Sequence, residues 1–386
     1  MPAALSHLKV VDLTSNLSGP YCAMILGDQG ADVIKVERKG EGDVLRKTPP
    51  FVNGESAPFM LWNRNKRSIE LNLKEEADLD ICRKLIADAD ILIENFRPGV
   101  AGRLGLGYDA MSKLNPRLVY CSVSGFGQTG PYGPRGGFDL VAQAMSGLMS
   151  ICGEEDGPPH RLPIPISDTS GGMFAAIGVL TALAAREQTG KGQQVDVSLF
   201  ESAISKCVYE AAYYFATDKR PERLGQQHRG SSPYQVFQTS DGWLVLGAAA
   251  QNLWEKACKV LDCEHLMEDA RFATKADRVA NNKALVALLQ ERFITKSNQE
   301  WFDALDAANI PAGPVMYHDE VFHDPHVLAR DMVVEVDHTA AGRQRTLGTP
   351  VKLMGTPGSI RRAAPMLGEH TEEILAELGM KEEAAD

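Results

Sequence analysis

Cysteine and histidine are present but nowhere arranged as ligands. The seven cysteines (22, 82, 121, 152, 207, 258 and 263) are scattered with no pair at CxxC spacing, and none of the nine histidines falls in an HxxxH or HExxH pattern. That distribution fits small apolar core residues in a reducing compartment and speaks against a disulfide framework or a zinc site. Also missing is a GxGxxG after the first predicted strand, which removes the glycine fingerprint of nicotinamide and flavin sites. Positive charge is short: 40 Lys and Arg face 51 Asp and Glu, a net charge of −11. A nucleic acid demands a basic footprint, so binding one is excluded as the main role, whereas a small anion held by a few local cations is not. The first residues show no basic region followed by an apolar one, and no stretch reaches about 18 apolar residues free of polar breaks. The expectation is a soluble, cytoplasmic chain with no membrane partner.

What the chain does have is a 44% hydrophobic content over 386 residues, enough to fill two domains. Leu8–Leu13 and Ala31–Glu37 are β-type runs separated by a helix opened at Gly19-Pro20, a βαβ unit of doubly wound α/β type. Further strands are expected at Asp90–Phe96, Leu118–Val123 and Gln193–Leu199, with a helix carrying Leu79, Cys82, Leu85, Ile86 and Ala89 on one face. Charges close the second strand at Glu37-Arg38-Lys39, where open α/β sheets meet their ligands. Arg64, Lys66 and Arg67 are either a solvated surface or, with those strand-end charges, part of one anionic pocket, and their recurrence favours the pocket. One long helix is expected from Glu201 to about Phe215. The polar, proline-broken stretch Thr217–Arg223 reads as a linker. Beyond it a smaller unit runs from about Gly225 to Pro325, with a hairpin at Asp241-Gly242 and a capping box at Ser297 and Glu300. Strands follow at Met332–His338 and Thr346–Met354, then a helix at Thr371–Leu378 and a disordered tail, Lys381–Asp386.

The most informative stretch is Pro163–Leu183. Its prolines hold the chain extended up to Ser167, and from Met173 to Ala185 it is helix-forming and apolar on every side, which predicts a buried helix. Asp168 at its start has two readings. It is either an N-cap accepting free backbone N–H groups, or a carboxylate that those N–H groups hold ionised and oriented for attack on a carbonyl. Gly171 and Gly172 lack a Cβ, so a ligand or another backbone can come close to the first turn.

The stretches Gly30-Ala-Asp-Val-Ile-Lys-Val-Glu-Arg38, Asn65-Lys-Arg-Ser-Ile-Glu-Leu71, Glu94-Asn-Phe-Arg-Pro-Gly99, Asn115-Pro-Arg-Leu118, Ser124-Gly-Phe-Gly127, Asp168 with its Gly-Gly-Met, Thr189-Gly-Lys-Gly-Gln-Gln-Val195 and Leu367-Gly-Glu-His-Thr371 recur from end to end. In order and spacing the chain resembles the class III (CaiB/BaiF) coenzyme A transferases, a family that includes the 2-methylacyl-CoA racemases. The resemblance implies an intertwined homodimer. Each subunit has a Rossmann-like large domain of residues 1–222, rejoined by 326–386, and a small α+β domain of 223–325. It also implies that Asp168 is the nucleophile, passing CoA between an acyl-CoA and a carboxylic acid through anhydride and aspartyl-CoA thioester intermediates. No metal and no cofactor beyond CoA, a substrate, is implied. By the same matching, CoA contacts come from Arg38, Leu71, Lys74, Asn95, Phe96, Arg97 and Arg103, with Gly136, Gly137, Phe138 and Asp139 beside the pantetheine end.

Two departures narrow the branch. Racemases carry a His where this chain has Phe138, and phenylalanine moves no proton, so two-base racemisation is disfavoured. Phe138 is otherwise a core aromatic or a site residue. The glycine run of members that act on formyl-CoA and oxalate is replaced by Gly225-Gln-Gln-His-Arg-Gly-Ser-Ser-Pro-Tyr-Gln-Val-Phe237, which resembles more the branch serving dicarboxylates such as succinate and glutarate. His228 and Arg229 are then either ligands of a second carboxylate or a solvated loop pair. A racemase and a non-catalytic CoA-binding protein remain the alternatives.

Overall fold

A computed structural model describes residues 2–380; the expected disordered tail lies outside them. Two compact units share the chain. The larger takes residues up to Met149, then Arg161–Thr217 and the chain from Pro325 onward; the smaller takes Ser150–His160 and Asp218–Asp324. The excursion Ser150–His160 is absent from the sequence reading, which leaves it in the large domain.

The large unit is built on six parallel strands: β1 (Lys9–Asp12), β2 (Asp32–Arg38), β3 (Lys66–Leu71), β4 (Ile91–Glu94), β5 (Val119–Ser124) and β6 (Gln194–Ser198). Their spatial order is β3-β2-β1-β4-β5-β6, the doubly wound order, with its switch point between β1 and β4. Alternate strand residues point to opposite faces, and both faces are apolar. Val10, Val33, Ile91, Ile93, Val119 and Cys121 meet Cys22 and Leu26 of helix α1 (Ser18–Asp28) and, further on, Ala175 and Val179. Val11, Ile34, Ile69, Leu92 and Tyr120 meet Leu79, Cys82 and Ile86 of α2 (Glu76–Ala87) and Ile374 near the C-terminus.

After β5 come α3 (Asp139–Met145), the long α4 (Ile166–Thr189), and then α5 (Leu199–Ile204) and α6 (Val208–Thr217), where a single helix is expected from 201 to 215. Helix α4 stops at Gly190, whose φ of 71° is the left-handed C-terminal position that glycine adopts without strain. It is long and apolar enough to cross a membrane by length and composition, yet one side is packed in the core through Ala175, Ala176, Val179 and Ala182. The expectation of a helix buried all round is corrected: Met173, Ile177 and Leu180 are exposed on a second face, Ile177 at 57%.

The small unit holds β7 (Tyr234–Gln238), β8 (Trp243–Gly247) and β9 (Ala312–Pro314), antiparallel in the order β9-β8-β7. Helices α7 (Gln251–Val260), α8 (Asn282–Phe293) and α9 (Asn298–Ala307) contribute Trp254, Phe293 and Trp301 to its core. The capping box at the start of α9 is present, with Ser297 N–H donating to Glu300 Oε2 at 2.8 Å and Glu300 N–H to Ser297 Oγ at 3.3 Å. Back in the large unit, β10 (Val333–His338) pairs with β11 (Gly342–Leu347). The expected strand Thr346–Met354 is replaced by Gly342–Leu347, which ends where its partner begins, Leu347 opposite Val333. Helix α10 (Thr371–Glu377) docks on β3 through Arg67.

Candidate active site

Asp168 is the third residue of α4, inside the first turn, with Pro165 at the N-cap position. The first N–H groups of a helix need acceptors from elsewhere, and here the carboxylate that supplies one is Asp139. Its Oδ1 accepts the Ser167 N–H at 2.8 Å and its Oδ2 accepts Gln143 Nε2 at 2.7 Å. The N-cap reading of Asp168 is thereby corrected, and so is the idea that backbone N–H groups hold it ionised. Its half-buried carboxylate has no hydrogen-bond partner among the described residues. Burial, and then the charge of Asp139, push its pKa up to about 7.

Gly171 and Gly172 fall in the second turn of α4 and serve packing. A Cβ on Gly172 would stand 2.6 Å from the Ser18 carbonyl oxygen, and one on Gly171 would stand 2.8 Å from Leu199. Ser18 opens α1, and the residues just before it line a cavity of about 330 Å³ at the carboxyl ends of the strands. That cavity brings together Arg38, Leu71, Lys74 and Phe96, and its wall also holds the acidic Glu37, Glu41 and Asp43; Arg38 donates to Glu41 at 2.8 Å at the exposed rim. It straddles the switch point, where an open α/β sheet leaves a crevice.

The other site candidates are not part of its lining. Asn95 clamps the lining residue Ser15, accepting its N–H at 3.0 Å and donating to its carbonyl at 2.8 Å. The Arg97 guanidinium lies where a Cβ on Gly136 would approach to 3.1 Å, and Gly137 packs backbone to backbone on Gly125. Arg103 ends the short helix Val100–Arg103, beside Leu104. Phe138 is 66% exposed, which overturns its reading as a core aromatic. In the small unit, His228 Nδ1 accepts the Gly230 N–H at 3.1 Å and its ring meets Tyr234 edge-on, while Arg229 donates to the Glu222 carbonyl at 3.0 Å.

The anionic-pocket reading of Arg64, Lys66 and Arg67 is corrected. Arg64 pairs with Asp28 at 2.7 Å, Lys66 with Asp12 at 2.9 Å and Arg67 with Asp32 at 2.6 Å, so each charge is spent inside the fold. Their acidic partners lie more than 30 residues earlier in the sequence, which hides the pairing from a local reading. Sequence reasoning also missed a buried scaffold in the cavity wall. Lys35, fully buried, pairs with Asp43 at 2.9 Å and donates to the Thr14 carbonyl at 2.7 Å. Asp43 in turn accepts the N–H groups of Asn16 and Leu45, tying the loop after β1 to the turn at Val44–Lys47. The signal was faint: a lysine set between Val33-Ile34 and Val36 in a strand whose other charges sit toward its ends. Among the described residues no cluster of three or more His, Cys, Asp or Glu is placed to hold a metal.

Comparison with known proteins gives four findings. Residues 5–371 match the family described as CoA-transferase family III. The chain is 40% identical to a mouse protein named succinyl-CoA:glutarate CoA-transferase, over 99% of this chain and 88% of that one. It is also 40% identical to an Acetobacter aceti protein named acetyl-CoA:oxalate CoA-transferase, over 97% and 96%. Among solved structures, a CaiB/BaiF family protein from Brucella suis superposes with a TM-score of 0.88 at 37% identity, covering 98% of this chain and 100% of that one.

Proposed function

This chain belongs to CoA-transferase family III, and from that premise we propose that it moves coenzyme A from an acyl-CoA, succinyl-CoA or a close relative, to a small dicarboxylic acid, with Asp168 as nucleophile. The observation that carries the assignment is the Asp168 carboxylate itself: half-buried, without a hydrogen-bond partner among the described residues and poised near neutrality at the start of α4. A carboxylate stripped of donors keeps its electron pair available for attack.

The proposed steps balance without any cofactor beyond CoA. An Asp168 oxygen attacks the thioester carbonyl, CoA leaves as thiolate, and a mixed anhydride forms. The thiolate attacks the aspartyl carbonyl and releases the donor acid, leaving an aspartyl-CoA thioester. The acceptor carboxylate attacks that thioester and again frees the thiolate. Attack of the thiolate on the acceptor's acyl carbon then yields the new acyl-CoA and restores Asp168.

In this reading the strand-end cavity takes CoA, with Arg38 and Lys74 toward its phosphates and Phe96 against its apolar parts. His228 and Arg229 are assigned to the acceptor's far carboxylate. The relatives named for glutarate and for oxalate both support a dicarboxylic acceptor. The exposed apolar row Met173, Ile177 and Leu180, one face of α4 at helical spacing, supports a second copy of this chain as partner, in an interlocked homodimer.

Incubation with succinyl-CoA and single acids (glutarate, mesaconate, oxalate, acetate), followed by mass spectrometry of products and of the peptide bearing Asp168, tests the whole scheme. The expected result is acid-dependent transfer with a CoA adduct on Asp168. Turnover without any acceptor acid, or full transfer by Asp168→Ala, defeats it.

A further inference from the structure

Gln143 is fully buried in α3, and its carboxamide is used at both ends. Nε2 donates to Asp139 Oδ2 at 2.7 Å and to the Ile164 carbonyl at 3.3 Å, and Oε1 accepts the Leu162 N–H at 2.9 Å. One side chain therefore grips the extended segment that leads into α4 and also fixes the carboxylate that caps α4. Asp139 Oδ1 holds the Ser167 N–H, so the path from Gln143 to Asp168 runs through one carboxylate and one peptide. A buried amide satisfied on both sides has a single orientation, because flipping it would set N–H against N–H and oxygen against carboxylate.

We propose that Gln143 is a positioning residue for the transfer reaction, holding Asp139 and the Leu162–Ile164 segment so that the Asp168 carboxylate stands unbonded and correctly aimed at the acyl carbon. This rests on the reading of Asp168 as nucleophile. Charged groups facing the assembly are few. On α3 and α4 they are Asp139 and Asp168, and on α5, which packs against both helices, Glu201, which bonds Ser198. Lys206, just past α5, lies over the Phe174 ring. Of these, Asp139 alone shifts Asp168.

Two variants separate positioning from mere packing. Gln143→Met keeps length and bulk without the amide. Its kcat is expected to fall about tenfold or more, since misplacement by about an ångström costs on that scale, with KM for acyl-CoA changed less than about twofold. Gln143→Glu installs a carboxyl that, while protonated, both donates to Asp139 and accepts from Leu162 as the amide does, and that repels Asp139 once ionised. Its kcat relative to the parent should therefore be near the parent value at pH 5.5 and fall at least about tenfold by pH 8, with both proteins folded by circular dichroism. A pH-independent ratio for Gln143→Glu, or an unchanged kcat for Gln143→Met, overturns the inference. Asp168→Asn measured alongside keeps the two ideas apart. If it still transfers CoA, the nucleophile assignment fails; if it is inactive while both Gln143 variants match the parent, that assignment stands and Gln143 has no such role.

Discussion

Asp139 accepts the N–H of Ser167 at 2.8 Å, so the first turn of α4 is capped from a neighbouring helix and Asp168, one residue further on, carries a carboxylate with no hydrogen bond among the described residues. Capping and reactivity make opposite demands on a carboxylate. Accepted N–H groups stabilise its charge and lower its basicity, while a nucleophile needs that electron pair uncommitted. Two aspartates divide the tasks, and the charge on the capping one raises the proton affinity of the other.

A pH dependence follows directly. Attack requires ionised Asp168, whose pKa stands at about 7. Transfer at subsaturating acyl-CoA should rise through that pH, level off above it, and drop about tenfold per unit well below it. A pH–rate profile checks this, and an acidic limb centred near pH 4 would count against a depleted hydrogen-bond environment at Asp168.

The same displacement has a cost in stability, with a definite sign. The native state binds the Asp168 proton more tightly than the unfolded chain does, so stability declines as pH rises from about 4 to 7 and stays lowered above that. Asp168→Asn removes the ionisation and should stabilise the protein at pH 8 by about 1–2 kcal/mol, allowing for partial solvent contact, and by less at pH 5. Urea unfolding at the two pH values measures the difference, and an equal or inverted gain would contradict it.

The sheet was legible in the sequence because its strands are short β-branched runs alternating with helical periodicity, and Val33, Ile34 and Val36 must be buried wherever the chain goes. The place of Asp168 at a helix start was legible for a similar reason, since extended prolines followed by an apolar helix leave one carboxylate there, while its assignment as nucleophile came from the resemblance and not from that pattern. The cap was not. Asp139 and Ser167 are 28 positions apart, and no local pattern shows that a second helix delivers the acceptor. The basic cluster failed likewise: Arg64, Lys66 and Arg67 look available until Asp28, Asp12 and Asp32 are seen opposite them. The exposed face of α4 misled in the other direction, because composition alone does not say which side of an apolar helix the same chain covers.

Lys66 illustrates what those hidden pairs do. Its ammonium is fully buried against Asp12, the Pro20 carbonyl and Asn63 Oδ1, each within 3.0 Å. Burial alone would raise the Asp12 pKa, but Lys66 and Lys35 hold it down to about 2, while burial draws Lys66 to about 8, so the pair is ionised at neutral pH. Lys66→Met strands a buried carboxylate and should cost roughly 3–5 kcal/mol. Adding Asp12→Asn should recover a large part of that loss, and chemical denaturation of the single and double variants reads the difference. A single variant within about 0.5 kcal/mol of the parent would show that the pair carries no such weight.

Gly172 couples this scaffold to the reactive turn. An added Cβ would come within 2.6 Å of the Ser18 carbonyl oxygen, a backbone atom that cannot swing aside. The clash is relieved only by parting α1 from α4, and α4 carries Asp168 four residues earlier while α1 follows the cavity wall at Thr14 and Ser15. Gly172→Ala should therefore destabilise by about 1–3 kcal/mol and lower kcat by about tenfold or more, both from one displacement. Gly102→Ala is the matched control: a Cβ there meets nothing within 4 Å, and the position is helical. That substitution should be neutral or stabilising by up to about 1 kcal/mol, with turnover intact. If the two alanine variants melt together and turn over alike, the start of α4 is not held by the approach of its second turn to Ser18, and the aim of Asp168 has to be set by the Asp139 cap alone.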